Sequence, residues 1–128
     1  MFNQCLCSGK AYNLLTEALP FKVGNKYNSC AVTARIKNHY APAELGMLES
    51  LRIKAGNQDL KPVSYYHKVN WKGVCFSMYN CFELSDIEHR SIFKSDIDLL
   101  VACVWNKDTN YYQHILESAV RDLHCYVV

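Results

Sequence analysis

Apolar residues recur along this 128-residue chain with two different periods, and the changes between them mark out its elements. Runs of strand character are Asn3 to Ser8, closed by Gly9, then Ser29 to Ile36, and, after Pro62, Val63 to Trp71. Gly73 opens a further strand to Tyr79, with Val74, Phe76 and Met78 on one face. Ile97 to Val104 is nearly continuous in apolar residues, as expected of a strand buried on both faces. Cys125 to Val128 begins another strand. Helical spacing covers Ala43 to Lys54, with Pro42 at the first helical position and Gly56 as the stop. Ser85-Asp86-Ile87-Glu88 reads as a capping box opening a short helix. The longest helix runs from Thr109 to His124, capped by Asp108, with Tyr112, Ile115, Leu116, Ala119, Val120 and Leu123 on one face. Arg121 and His124 suit the negative end of its dipole. Thr16 to Asn28 is weakly patterned, broken by Pro20 and Gly24, and reads as loop or hairpin. Strands and helices alternate in the second half, which predicts an α/β layered fold.

Composition narrows the picture. Hydrophobic residues make up 50% and charged residues 20%, as in a single globular domain. A net charge of +2, with Lys and Arg scattered, argues against direct nucleic-acid binding or attachment to a membrane surface. No apolar run approaches spanning length, and the start of the chain lacks the features of a signal peptide, so a cytoplasmic location is expected. Seven cysteines with only five Gly and three Pro point to reduced, buried thiols and away from a disulfide scaffold. Cys5 and Cys7 would share a strand face, but the chain has no C-x-x-C pair. His124 is the only histidine within four residues of a cysteine, so a structural zinc site is not expected.

The chemistry concentrates at Asn80-Cys81-Phe82-Glu83, where a strand turns sharply toward a helix. A cysteine there lies near the positive end of a helix dipole, which favours the nucleophilic thiolate. Such a turn also exposes the side chain and offers backbone N–H groups to an oxyanion. The plain alternative is a half-buried core cysteine.

Cys81-Phe82-Glu83 followed by Ile87-Glu88-His89-Arg90 resembles the nucleophile elbow of the nitrilase, or carbon–nitrogen hydrolase, superfamily. Downstream, Asp98 to Val104, Trp105-Asn106, the helix to His124 and Cys125 onward follow the family's order of buried strand, loop, long helix and strand. Upstream, Arg35-Ile36-Lys37-Asn38-His39-Tyr40 is similar to the family's lysine motif, with Ile36 inserted in its basic pair. Glu44, seven residues beyond Lys37, matches the family's auxiliary glutamate. The resemblance covers about Ser29 to Val128. Within the superfamily, Trp105 to Asn110 and Asp122-Leu123-His124 resemble the divergent nitrilase-like domains attached to some bacterial reverse transcriptases implicated in phage defence.

The resemblance implies part of an α-β-β-α sandwich and a hydrolase acting on a small non-peptide amide or nitrile, without cofactor and commonly as a homodimer. Cys81 would be the nucleophile, Lys37 and the backbone N–H of Phe82 the oxyanion donors, and Glu44 the residue orienting Lys37 or substrate. Trp105, Asn106 and Glu83 are candidates for the substrate pocket. The general-base glutamate is not matched: Glu17, the one carboxylate before Lys37, lies only 20 residues upstream of it. Together with the apolar strand that ends the chain, this predicts a single partial domain, truncated at both ends. The alternative is a catalytically inactive nitrilase-like module for interaction or oligomerisation. His39 and His67 read as structural, and the tyrosine pairs Tyr65-Tyr66 and Tyr111-Tyr112 as packing.

Overall fold

A computed structural model describes the backbone of residues 2–7 and the full residues 9–56 and 65–128. Two four-stranded sheets organise them. The first contains β1 (Phe2–Cys7), β2 (Lys10–Val23) and β3 (Lys26–Ile36) in antiparallel order, and β4 (Lys54–Ala55) joins the start of β2 in parallel. The second has the order β5 (Lys68–Trp71), β6 (Val74–Asn80), β7 (Leu99–Cys103), β8 (Tyr126–Val127). Its first pair is antiparallel and the others are parallel.

The expected loop over Thr16 to Asn28 is instead the outer half of a long hairpin. Leu15 lies opposite Arg35, Glu17 opposite Thr33, and the turn falls at Gly24-Asn25, where Gly24 takes φ +65°. The pattern misled because nearly every side chain from Ala18 to Ala34 is exposed, so there is no alternation to read. Pro20 sits opposite Cys30 where β3 is the strand partner of β2 among the described residues, a setting that tolerates the missing donor.

The inner half of β2 does alternate. Ala11, Asn13, Leu15 and Glu17 are buried, as are Arg35 and Lys37 across from them. Two of these side chains reach the second sheet: Asn13 bonds Asn80, and Arg35 donates to the carbonyl of Met78. The sheets therefore meet across a strongly polar interface.

A small apolar cluster of Ala11, Tyr40, Leu48 and Ala55 joins the first sheet to α1 (Pro42–Ser50), and the larger one packs α3 (Thr109–Leu123) on the second sheet. There α3 packs Ala119 and Leu123 against Tyr79 and Leu100, with Leu84, Phe93, Ile97 and Cys125 filling the space between. Asp108 caps α3 by accepting from the Tyr111 N–H at 3.0 Å, as predicted. Val120, expected on the buried face, is 45% exposed and lines a groove between α3 and β7–β8.

Other boundaries shift. Helix α1 covers Pro42–Ser50 and stops at Leu51, earlier than expected, which frees Lys54 and Ala55 for β4. Strand character begins only at Lys68, and the first residues of the expected Val63–Trp71 strand lie outside the described set. The turn after β6 is a 3-10 helix over Cys81–Ser85, followed by α2 (Ile87–Arg90). Asp86, not Ser85, caps α2, accepting from the His89 N–H at 3.1 Å. Ser85 is spent as the last residue of the preceding turn. Among the described residues, no helix is long and apolar enough to cross a membrane.

Candidate functional site

Strand β6 delivers Cys81 to the end of the sheet, and the chain changes direction at that residue. Cys81 has φ +46°, a left-handed backbone that a residue with a Cβ adopts at a cost of about 1 kcal/mol or more. The side chain is half-buried, and its Sγ lies 3.3 Å from the hydroxyl of Tyr112, in the first turn of α3. Burial, together with the Cys81 sulfur beside it, pushes the Tyr112 hydroxyl above the usual tyrosine range. It therefore stays protonated and can donate to a thiolate.

Glu83 holds this turn in place. It is fully buried, and its two oxygens accept from Arg35 at 2.8 and 2.7 Å, from the Asn38 N–H at 2.6 Å and from the Asn80 N–H at 2.8 Å. The Asn80 contact is the capping contact of the 3-10 turn. Both oxygens are thus spent inside the fold. Glu83 is not a solvated turn residue: it clamps the Cys81 turn to the end of β3.

Lys37, one residue beyond β3, is 2% exposed. Its Nζ lies 2.5 Å from Glu44 Oε2. Glu44, in the first turn of α1, also accepts from the Ala41 N–H at 3.1 Å and from Asn13 Nδ2 at 2.9 Å. Asn13 Oδ1 in turn accepts from Asn80 Nδ2 at 3.1 Å. One unbroken run of contacts thus leads from Lys37 through Glu44 and Asn13 to Asn80, the neighbour of Cys81. A buried ammonium requires this compensation, and Glu44 supplies it.

The sequence reading missed Asn13, Asn80 and Tyr112 as members of this cluster. Asn13 carried a usable signal: it is a polar residue at a buried-parity position between Ala11 and Leu15. Nothing local marks Tyr112, because its contact with Cys81 spans 31 residues.

Of the remaining expected residues, Asn106 reaches the cluster through a hydrogen bond with the Tyr112 side chain. Trp105 is 83% exposed and belongs to neither the core nor an enclosed wall. Asn106 accepts from the Asp108 N–H at 2.9 Å and, with Tyr112, borders a 490 Å³ groove lined further by Ala102, Leu116, Val120 and Val127. Glu17 is buried at the sheet interface, where Thr33 donates to it at 2.9 Å and His67 Nδ1 lies 3.4 Å away.

No protein-family model and no curated protein matches the chain. A solved structure similar to it is a CN-hydrolase superfamily protein from Xanthomonas campestris, determined with an arsenic adduct in its active site. The TM-score is 0.66 at 18% identity, over 98% of this chain and 44% of that one. The chain spans less than half the length of that neighbour and shares the fold of the part it covers.

Proposed function

We propose that the chain carries the nucleophile half of a carbon–nitrogen hydrolase site. Cys81 is the nucleophile, Lys37 an oxyanion donor and Glu44 the residue that orients Lys37. The observation that carries this reading is the left-handed Cys81 turn, joined through Asn80, Asn13 and Glu44 to a buried lysine. The similar fold of a CN-hydrolase superfamily protein supports it, as does the order of the motifs in the sequence. The full architecture on this reading is the α-β-β-α sandwich, of which this chain supplies part. The narrower kinship with the nitrilase-like domains of defence-associated reverse transcriptases is proposed from Trp105–Asn110 and Asp122–His124 alone.

The chemistry follows from the groups present. The Cys81 thiolate attacks the carbon of a small non-peptide amide or nitrile, and the oxygen or nitrogen that gains charge meets the Lys37 ammonium and the Phe82 N–H. With an amide, collapse of the adduct expels the amine or ammonia and leaves a thioester. With a nitrile, the thioimidate first adds one water and then expels ammonia to reach the same thioester. A further water hydrolyses the thioester to the acid and the free thiol. Tyr112 steadies the sulfur in its charged form. Proton transfer to the leaving group needs a general base and acid, a role this proposal assigns to a carboxylate outside the cluster described above.

One observation favours the second reading, an inactive interaction module. Glu17, the one carboxylate preceding Lys37 in sequence, is engaged with Thr33 and His67 and not with the Lys37–Glu44 pair. Site-resolved alkylation with iodoacetamide, followed by a screen of small amides, separates the two. Selective labelling of Cys81, together with amide turnover that Cys81→Ser and Lys37→Ala each abolish, supports the hydrolase. Labelling of Cys81 no faster than that of Cys103 overturns it in favour of the module.

A further inference from the structure

A second cluster lies beside this site without belonging to it. His39 sits in the connection between β3 and α1, two residues past Lys37, while Asp86 and His89 open α2, five and eight residues past Cys81. The Nδ1 atoms of both imidazoles converge on a single oxygen, Asp86 Oδ2, at 2.9 and 2.8 Å. The rings stand edge to face with centroids 4.3 Å apart. All three donor atoms lie within 4.8 Å of one another.

We propose that His39, Asp86 and His89 bind one divalent cation of the zinc class through His39 Nδ1, His89 Nδ1 and Asp86 Oδ2, with water completing the shell. Three features carry the assignment. First, the carboxylate is divided between two tasks: Oδ1 caps α2 by accepting the His89 N–H at 3.1 Å, which aims Oδ2 at the two rings. Second, two imidazole nitrogens and one carboxylate oxygen suit zinc, nickel or copper and not the all-oxygen shells of calcium and magnesium. Third, the side chains are 22–27% exposed, so the cluster opens to solvent on one side, as a site with three protein ligands and a water must. Distances of 2.8 and 2.9 Å between donor atoms are slightly shorter than a tetrahedral shell requires, and a few tenths of an ångström of ring movement admits the ion.

The cation would join the segment that follows Lys37 to the turn that follows Cys81. It stabilises their relative position without touching either residue. The assignment stands whether or not Cys81 is a catalyst.

The test is a titration of the full chain with Zn²⁺ alone against a colour-forming chelator, paired with nitrogen NMR of the histidine rings. The ring readout is needed because the chain's seven cysteines provide a thiol background. At one equivalent of Zn²⁺, the Nδ1 signals of His39 and His89 should shift while those of His67, His114 and His124 stay. The stoichiometric step should disappear in His89→Gln and in Asp86→Asn. Should the loss of the Asp86 cap unfold α2, His39→Gln, which lies outside the helix, carries the same test. The assignment is overturned if neither ring responds at one equivalent, or if binding persists in the Asp86→Asn/His89→Gln double variant. Either result leaves the three residues as a hydrogen-bonded clamp alone.

Discussion

Arg35 and Glu83, 48 residues apart, form a two-pronged hydrogen-bonded pair at 2.8 and 2.7 Å, with both side chains buried. The Arg35 guanidinium also donates to the Met78 carbonyl at 2.8 Å and lies over the Tyr66 ring at 4.8 Å. A planar, forked cation is suited to this set of contacts, and a lysine would not reproduce it. The pair connects the two sheets and holds the Cys81 turn to the strand that leads to Lys37.

Removing one partner strands the other as an uncompensated buried charge. Glu83→Ala and Arg35→Met should each lower stability by about 3–5 kcal/mol, whereas the Arg35→Met/Glu83→Leu double variant should recover much of that loss. Urea unfolding midpoints of the three variants provide the check. Equal stability of Glu83→Ala and the parent would show that the pair contributes nothing.

The thiols should separate by reactivity. Burial pushes the Cys103 and Cys125 thiols above the usual cysteine range, so less of each is thiolate at any pH below that raised value. Both should alkylate slowly at pH 8, with their labelling rising only at higher pH. Cys81, strained and half-exposed beside a hydroxyl donor, should label first among the buried and half-buried thiols. Mass spectrometry of iodoacetamide-treated protein reads the order directly.

Tyr112→Phe removes the hydroxyl beside Cys81, together with its hydrogen bonds to Asn106 and Ser85. A hydrogen bond to a charged acceptor contributes about 1.5 kcal/mol or more, equivalent to about a tenfold slower alkylation of Cys81 at neutral pH. Labelling of Cys30, exposed on the hairpin, should stay constant and serves as the internal control. An unchanged Cys81 rate would remove Tyr112 from the site.

Gly56 follows β4, and a Cβ added there would run into the body of the Tyr12 ring. The obstacle is the rigid ring and not a flexible chain end, so Gly56→Ala should cost about 1–3 kcal/mol. The Gly56→Ala/Tyr12→Ala double variant should be less destabilised than the sum of its single changes, a coupling measurable by thermal unfolding.

Much of this architecture was legible in the sequence. The β6 strand, the Cys81 turn and the Asp108-capped α3 rest on local signals: a period of two, an abrupt change of period, and an acidic cap before an amphipathic run. The same logic failed where both faces of a strand meet solvent. The β2–β3 hairpin carries no alternation from Ala18 to Ala34, so length and pairing, not pattern, define it. Side-chain roles were harder to read than elements. Glu83 and Asp86 do take local partners, Asn80 and His89, but they add Arg35 and His39 from a strand and a connection more than 40 residues earlier.

By itself, the sequence determined the order of strands and helices in the second half, the position of a cysteine at a sharp turn, and the spacing of Lys37 and Glu44. These depend on neighbours a few residues away, where periodicity and capping act. The tertiary structure alone decided that Glu83 locks the turn, that Asn13 and Asn80 link the cysteine turn to the buried lysine, and that His39 meets Asp86 and His89. Those outcomes depend on two sheets meeting through polar faces. There, Glu83, Lys37 and Asn13 take the partners the fold brings within reach, because leaving a buried charge or amide wholly unpaired costs more than a local preference.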